Sequence, residues 1–109
     1  MKEYEKTVLK KIRDYSEQAI FFIENMDFIS FSNDAKTIAA CVMNLSQIGE
    51  LTTRLDDEFI NTYNQIPWRK MKGMRNRIVH DYDGIQFNIV WDVLTDFLPE
   101  LIENIDEIM

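Results

Sequence analysis

Apolar side chains recur at alternating three- and four-residue spacings along four separate stretches of this chain, and no period-2 alternation is long enough to make a strand. That pattern leaves amphipathic helices as the way these residues can be buried. From about residue 4 to residue 27, Ile12, Tyr15, Ala19, Phe22, Ile23 and Met26 share one face, with Lys10, Lys11, Asp14 and Glu17 between them. Phe28 to Asp34 reads as a linker, since Ser30, Ser32, Asn33 and Asp34 compete for backbone hydrogen bonds within a helix and cap its start; an N-cap is expected at Ser32 or Asn33. A second long helix then carries Ile38, Cys41, Leu45, Ile48, Leu55 and Phe59, widened by Val42 and Leu51, to about Thr62. Gly49 inside it costs up to ~1 kcal/mol relative to alanine, which points to close packing against a neighbouring helix.

Asn64-Gln65-Ile66-Pro67 ends this helix and starts a third, because proline fits a first turn where its missing N–H has no partner to lose. The third helix spans about Pro67 to His80 and buries Met71, Met74 and Ile78; Asp81-Tyr82-Asp83-Gly84 is a turn signal. A fourth helix follows with Val90, Leu94, Phe97, Leu101, Ile105 and Ile108 on its apolar face. Four such helices joined by short loops bury their stripes most simply as an all-α antiparallel four-helix bundle. The 109 residues suffice for one core and not for two, so a single domain over residues 1–109 is expected.

The lone Cys41 sits in an apolar run and reads as a buried reduced thiol. With neither a signal peptide nor a run of ~20 apolar residues, the expected location is the cytoplasm, with no membrane contact. A net charge of -7 disfavours general nucleic-acid affinity. The charge is uneven, however: Arg69, Lys70, Lys72, Arg75 and Arg77 are clustered without an intervening acid, whereas the last helix carries Asp92, Asp96, Glu100, Glu103, Asp106 and Glu107 without a base. There is no phosphate loop, zinc spacing or nucleophile elbow. Glu50, Asp56, Asp57 and Glu58 read as a solvated helix face, so no metal and no cofactor are expected.

What remains is the segment from Gly73 to Ile85, which holds the only histidine, the end of the basic cluster and a tyrosine. Local physics allows a plain helix end with His80 favoured by the helix dipole. The spacing Arg75, four residues, His80, one residue, Tyr82 resembles the signature of HepT toxins in the HEPN superfamily. The flanks are similar too: Asn44 to Glu50 in helix two, Ile66-Pro67-Trp68-Arg69, Gly73-Met74-Arg75-Asn76, Ile89-Val90-Trp91-Asp92 and Leu98-Pro99-Glu100-Leu101. The resemblance covers residues from about 35 to 105, and departs at Gln86-Phe87, where an Asp-Pro-like helix start is expected.

The resemblance implies a metal-independent endoribonuclease toxin in which the RNA 2'-hydroxyl attacks the adjacent phosphate, assisted by Arg and His at a dimer interface. Arg75, His80 and Asn76 are then the candidate catalytic residues, with Lys72 and Arg77 as candidate substrate contacts. On an ideal helix Arg75 and His80 are offset by about 140°, so either the helix ends before His80 or the two meet across chains. Cyclising cleavage wants both a base and an acid, and a two-fold homodimer turns one histidine into two. Tyr82, four residues after Ile78, reads either as a ring packed on helix three or, by the resemblance, as the tyrosine to which a nucleotidyltransferase antitoxin adds AMP. Two other readings use the same residues: a non-catalytic HEPN partner that binds a nucleotide or docks on a nucleotidyltransferase, and a plain helical interaction domain.

Overall fold

The structure is a computed structural model that describes residues 1–80 and 82–109, apart from the side chains of Val79 and Tyr82. It is all-α, with no strand among the described residues. The first helix, α1 (Glu3–Phe22), opens where the Glu5 carboxylate accepts the Lys2 N–H at 2.7 Å. It ends five residues earlier than its apolar spacing suggests, and Asn25, with φ of 65°, turns the chain in the left-handed region that asparagine tolerates.

The expected linker is itself partly helical. Asp27 accepts the Ser30 N–H and starts α2 (Phe28–Ser32); Asp34 accepts the Thr37 N–H and starts α3 (Ala35–Thr52). The cap of the long helix is therefore Asp34 and not Ser32 or Asn33, whose side chains instead donate back to the Ile29 carbonyl. The second predicted helix also divides: α3 stops at Thr52, and α4 (Asp57–Thr62) restarts under an Asp56 cap that accepts from Phe59 N–H at 2.9 Å. Leu55 and Phe59 stay buried across the break, so the stripe continues through a turn that periodicity cannot see.

α5 (Trp68–His80) starts directly after Pro67, whose carbonyl accepts the Met71 N–H. A 3₁₀ turn (Tyr82–Gly84) leads to α6 (Phe87–Asp92), a π turn (Val93–Phe97) and α7 (Leu98–Ile108). These last three segments keep helical dihedrals at their junctions and form one rod. The π turn has a cause in Pro99: an α-helical proline clashes with the carbonyl four residues back, here Thr95, and the wider turn, in which Leu98 N–H reaches the Val93 carbonyl, gives the ring room. Gln86 stands at the start of α6 without a side-chain cap, as its departure from the expected helix start implies.

α3 is the central element, packed against α1 on one side and α5 on the other, while α1 also packs on α7. The core runs through Leu9, Ile12 and Ala19 of α1, Ile38, Cys41, Leu45 and Ile48 of α3, Met71 of α5, and Leu94, Leu98, Leu101 and Ile105 of the final rod. Arg13 clamps α1 to α7 through a two-pronged bond to Asp106, 2.7 Å from Nε and 3.2 Å from Nη2. No helix among the described residues is long and apolar enough to cross a membrane.

Candidate functional site

The helix that carries the candidate residues is anchored at its start. Trp68 is fully buried, its indole N–H donates to the Tyr63 carbonyl at 3.0 Å, and Phe59 packs against both Trp68 and Tyr63 with ring centroids 5.7 and 4.7 Å away. Such aromatic pairs contribute about 0.5–1.5 kcal/mol each beyond their area, which fixes where α5 leaves the α4 turn.

Midway along α5 the backbones of α3 and α5 come together at Gly49. A Cβ built there would lie 2.8 Å from the Met71 carbonyl oxygen and 3.1 Å from Arg75 Cγ, and would overlap Arg75 Cβ. The glycine that weakens α3 is thus what lets Arg75 lie against it, as the close packing inferred from the sequence requires.

Arg75 is held from two sides. Oε2 of Glu50, on α3, accepts from Nε at 2.8 Å and lies 2.7 Å from Nη2, and Oδ1 of Asn76 accepts from Nη1 at 2.6 Å. A guanidinium has five N–H donors in a planar fork. Among the described residues Nε donates to Glu50 and Nη1 to Asn76, and the terminal nitrogens keep N–H groups of the kind that suit a bidentate phosphate. The ion pair is half-exposed, so it contributes at most ~1 kcal/mol to stability; its effect is on where the fork points.

His80 is the last residue of α5 and is exposed. Because the helix runs through it, the first of the two sequence alternatives does not apply: Arg75 and His80 are separated by about 140° and about 7.5 Å of helix rise in one chain. Asn76 is four residues before His80 and shares its face. Its bond to Arg75 draws the guanidinium towards that face. Lys72 is half-buried and Arg77 exposed on the same helix. Asp81 and the Tyr82 side chain lie outside the described residues, so the expectation for Tyr82 concerns a side chain beyond that description.

α5 also borders an apolar groove of about 620 Å³ against the α6 and π-turn segment, lined by Met74, Ile78, Ile85, Ile89, Val93 and Phe97, with Lys70 and Arg77 on it as well. Ile89 and Phe87 are each 43 % exposed. No group of metal-ligating side chains occurs among the described residues.

The residue that sequence reasoning missed is Glu50. In sequence it is one of four acids that read as a solvated face, although its neighbour Gly49 points to a close helix approach. A glutamate beside such a glycine is the signal that could have found it.

The HepT-like ribonuclease family model matches residues 6–108. A Methanocaldococcus jannaschii protein named as a putative RNase is 37% identical over 101 residues, covering 93% of this chain and 84% of its own. A Caldanaerobacter subterraneus protein, also named as a putative RNase, is 32% identical over 108 residues, covering 93% and 96%. A Thermococcus cleftensis protein named as a probable ribonuclease HepT is 31% identical over 101 residues, covering 93% and 92%. No solved structure matches the chain.

Proposed function

Because the chain belongs to the HepT-like ribonuclease family, we propose that it is a metal-independent endoribonuclease, the toxin of a toxin–antitoxin pair, acting as a two-fold homodimer with Arg75 and His80 in its active site. The observation that carries this reading is the Arg75 fork, held at Nε by Glu50 and at Nη1 by Asn76, with N–H groups left on its terminal nitrogens among the described residues. In the cleavage step the 2'-hydroxyl oxygen attacks the neighbouring phosphorus, losing its proton to a base, and the 5'-oxygen leaves with a proton from an acid. The products are a 2',3'-cyclic phosphate and a 5'-hydroxyl, and no metal takes part. Arg75 stabilises the charge that grows on the phosphate oxygens, and His80 supplies proton transfer.

The homodimer is supported by two features. Arg75 and His80 diverge around one helix, and a single chain has one histidine for a two-proton reaction; a two-fold partner supplies the second. The apolar groove beside α5 leaves Ile89 and its neighbours uncovered in one copy, next to the helix that carries both residues. Lys72 and Arg77 extend the positive strip on which an RNA backbone would lie. For its regulation, a minimal nucleotidyltransferase antitoxin adds AMP to the Tyr82 hydroxyl, with pyrophosphate leaving from ATP, and the added phosphate occupies the place of the substrate phosphate near Arg75.

RNA incubated with the purified chain in EDTA tests the activity. Wild type should yield cyclic-phosphate and 5'-hydroxyl ends, while Arg75→Ala and His80→Ala should be inactive yet melt cooperatively; Arg75→Lys should recover only part, having a point charge without the fork. An intact wild-type dimer that leaves RNA uncut would instead favour the docking-partner reading. For the antitoxin arm, coexpression with the cognate nucleotidyltransferase should add AMP-sized mass increments to wild type and not to Tyr82→Phe; equal increments on both, or none on either, defeat it.

A further inference from the structure

We propose that Glu50 is a positioning residue for the reaction: its carboxylate grips the Nε side of the Arg75 guanidinium and leaves the two terminal nitrogens aimed at the RNA phosphate. The inference rests on the reading of Arg75 as the phosphate-binding group. The Arg75 side chain is part-exposed on α5, where an unheld arginine samples many rotamers. One carboxylate oxygen placed 2.8 Å from Nε and 2.7 Å from Nη2 removes much of that freedom before substrate arrives. It also blocks the side edge of the fork, so a phosphate has to approach end-on. Asn76 completes the hold from α5 itself through Nη1.

Two neighbouring residues on α3 divide the task. Gly49 brings the α3 and α5 backbones close enough for the grip, with the Met71 carbonyl 2.8 Å from where a Cβ would stand. Glu50, next in sequence, uses that proximity. Because the pair is half-exposed, its removal should disturb geometry far more than stability.

The test compares RNA cleavage in EDTA by wild type, Glu50→Ala, Glu50→Asp, Glu50→Gln and Arg75→Ala, together with thermal melts and the Arg75 Nε–H signal in 15N–1H spectra. Glu50→Ala should lower kcat by about 10- to 100-fold, the order expected for a misplacement near 1 Å, with KM moving less. Glu50→Asp, one methylene too short, should resemble it. Glu50→Gln retains a carbonyl oxygen at the same reach and should recover most of the rate, while all four variants keep the wild-type melting transition within a few degrees. The Arg75 Nε–H signal should be protected from solvent exchange in wild type and Glu50→Gln and lost to exchange in Glu50→Ala. A Glu50→Ala enzyme that cuts at the wild-type rate while Arg75→Ala is dead overturns the positioning role and leaves the ribonuclease reading standing. If Glu50→Gln is as slow as Glu50→Ala, positioning through these hydrogen bonds is wrong. Arg75→Ala cutting at the wild-type rate overturns the reading of Arg75, and this inference with it.

Discussion

Two glycines lie within helices of this chain in opposite surroundings, and replacing each with alanine separates local propensity from packing. In a helix interior the change from glycine to alanine gains about 1 kcal/mol. At Gly73, in α5, a new Cβ meets nothing within 4 Å, so that gain should appear almost whole. At Gly49 the same gain is opposed: the Cβ would overlap Arg75 Cβ and stand 2.8 Å from the Met71 carbonyl oxygen, where relaxed contacts need about 3.5 Å or more. Neither obstacle is the free end of a flexible side chain, so α3 and α5 have to move apart, at an overpacking cost of about 1–3 kcal/mol. The difference between the two variants cancels the shared propensity gain and isolates that cost. At roughly 4–8 °C per kcal/mol for a domain near this size, Gly73→Ala should melt above wild type and at least about 4 °C above Gly49→Ala. Gly49→Ala should also lose RNA cleavage, because separating the helices pulls Glu50 from Arg75. The assay is thermal unfolding by circular dichroism at one protein concentration, followed by cleavage in EDTA at a temperature where both variants are folded. Equal upward shifts in the two melting temperatures would refute the claim that α3 and α5 touch at Gly49.

Acid should destabilise the fold through three carboxylates whose pKa values are lowered: Asp27 by the Ser30 N–H, Asp34 by the Thr37 N–H, and Asp106 by its bond to Arg13. Since the folded state favours the charged form of each, their contribution is full above the ordinary aspartate value of about 4 and is lost as pH falls through the lowered values. Melting temperature should therefore fall below about pH 4, and less steeply in a triple Asn variant; identical slopes would count against the assignment. Cys41 is fully buried, and burial, assisted by the nearby Asp34 charge, pushes its thiol up to about 11. It should resist iodoacetamide at pH 8 in native protein and react in urea, as mass spectrometry would register; stoichiometric labelling of native protein would contradict it. Ile89→Glu places a charge in the groove on a residue already 43 % exposed in one chain. Light scattering should then show a monomer with an intact helical spectrum, and an unchanged dimer would move the interface elsewhere.

The helical fold was legible because burial of Leu9, Ile12, Ala19, Cys41, Leu45, Ile48, Leu101 and Ile105 needs only the 3.6-residue period that the sequence carries openly. Boundaries were less legible. Periodicity reports which face a residue occupies and continues unbroken when a turn happens to preserve the face, as between Thr52 and Asp57, where Leu55 and Phe59 stay on the stripe. Capping chemistry is short-ranged and many side chains qualify, so Ser32, Asn33 and Asp34 compete in sequence, and the winner is decided by which carboxylate reaches an N–H, here Asp34 to Thr37. The candidate site has the same division. Arg75, Asn76 and His80 are close in sequence and fall in one motif; Glu50 is 25 residues from Arg75, and no local pattern links them. The link is tertiary, since the α3–α5 packing at Gly49 alone puts Glu50 within reach. A carboxylate on a helix face is therefore ambiguous until the neighbouring helix is known, and the small residue beside it is the feature in the sequence that says where that neighbour comes closest.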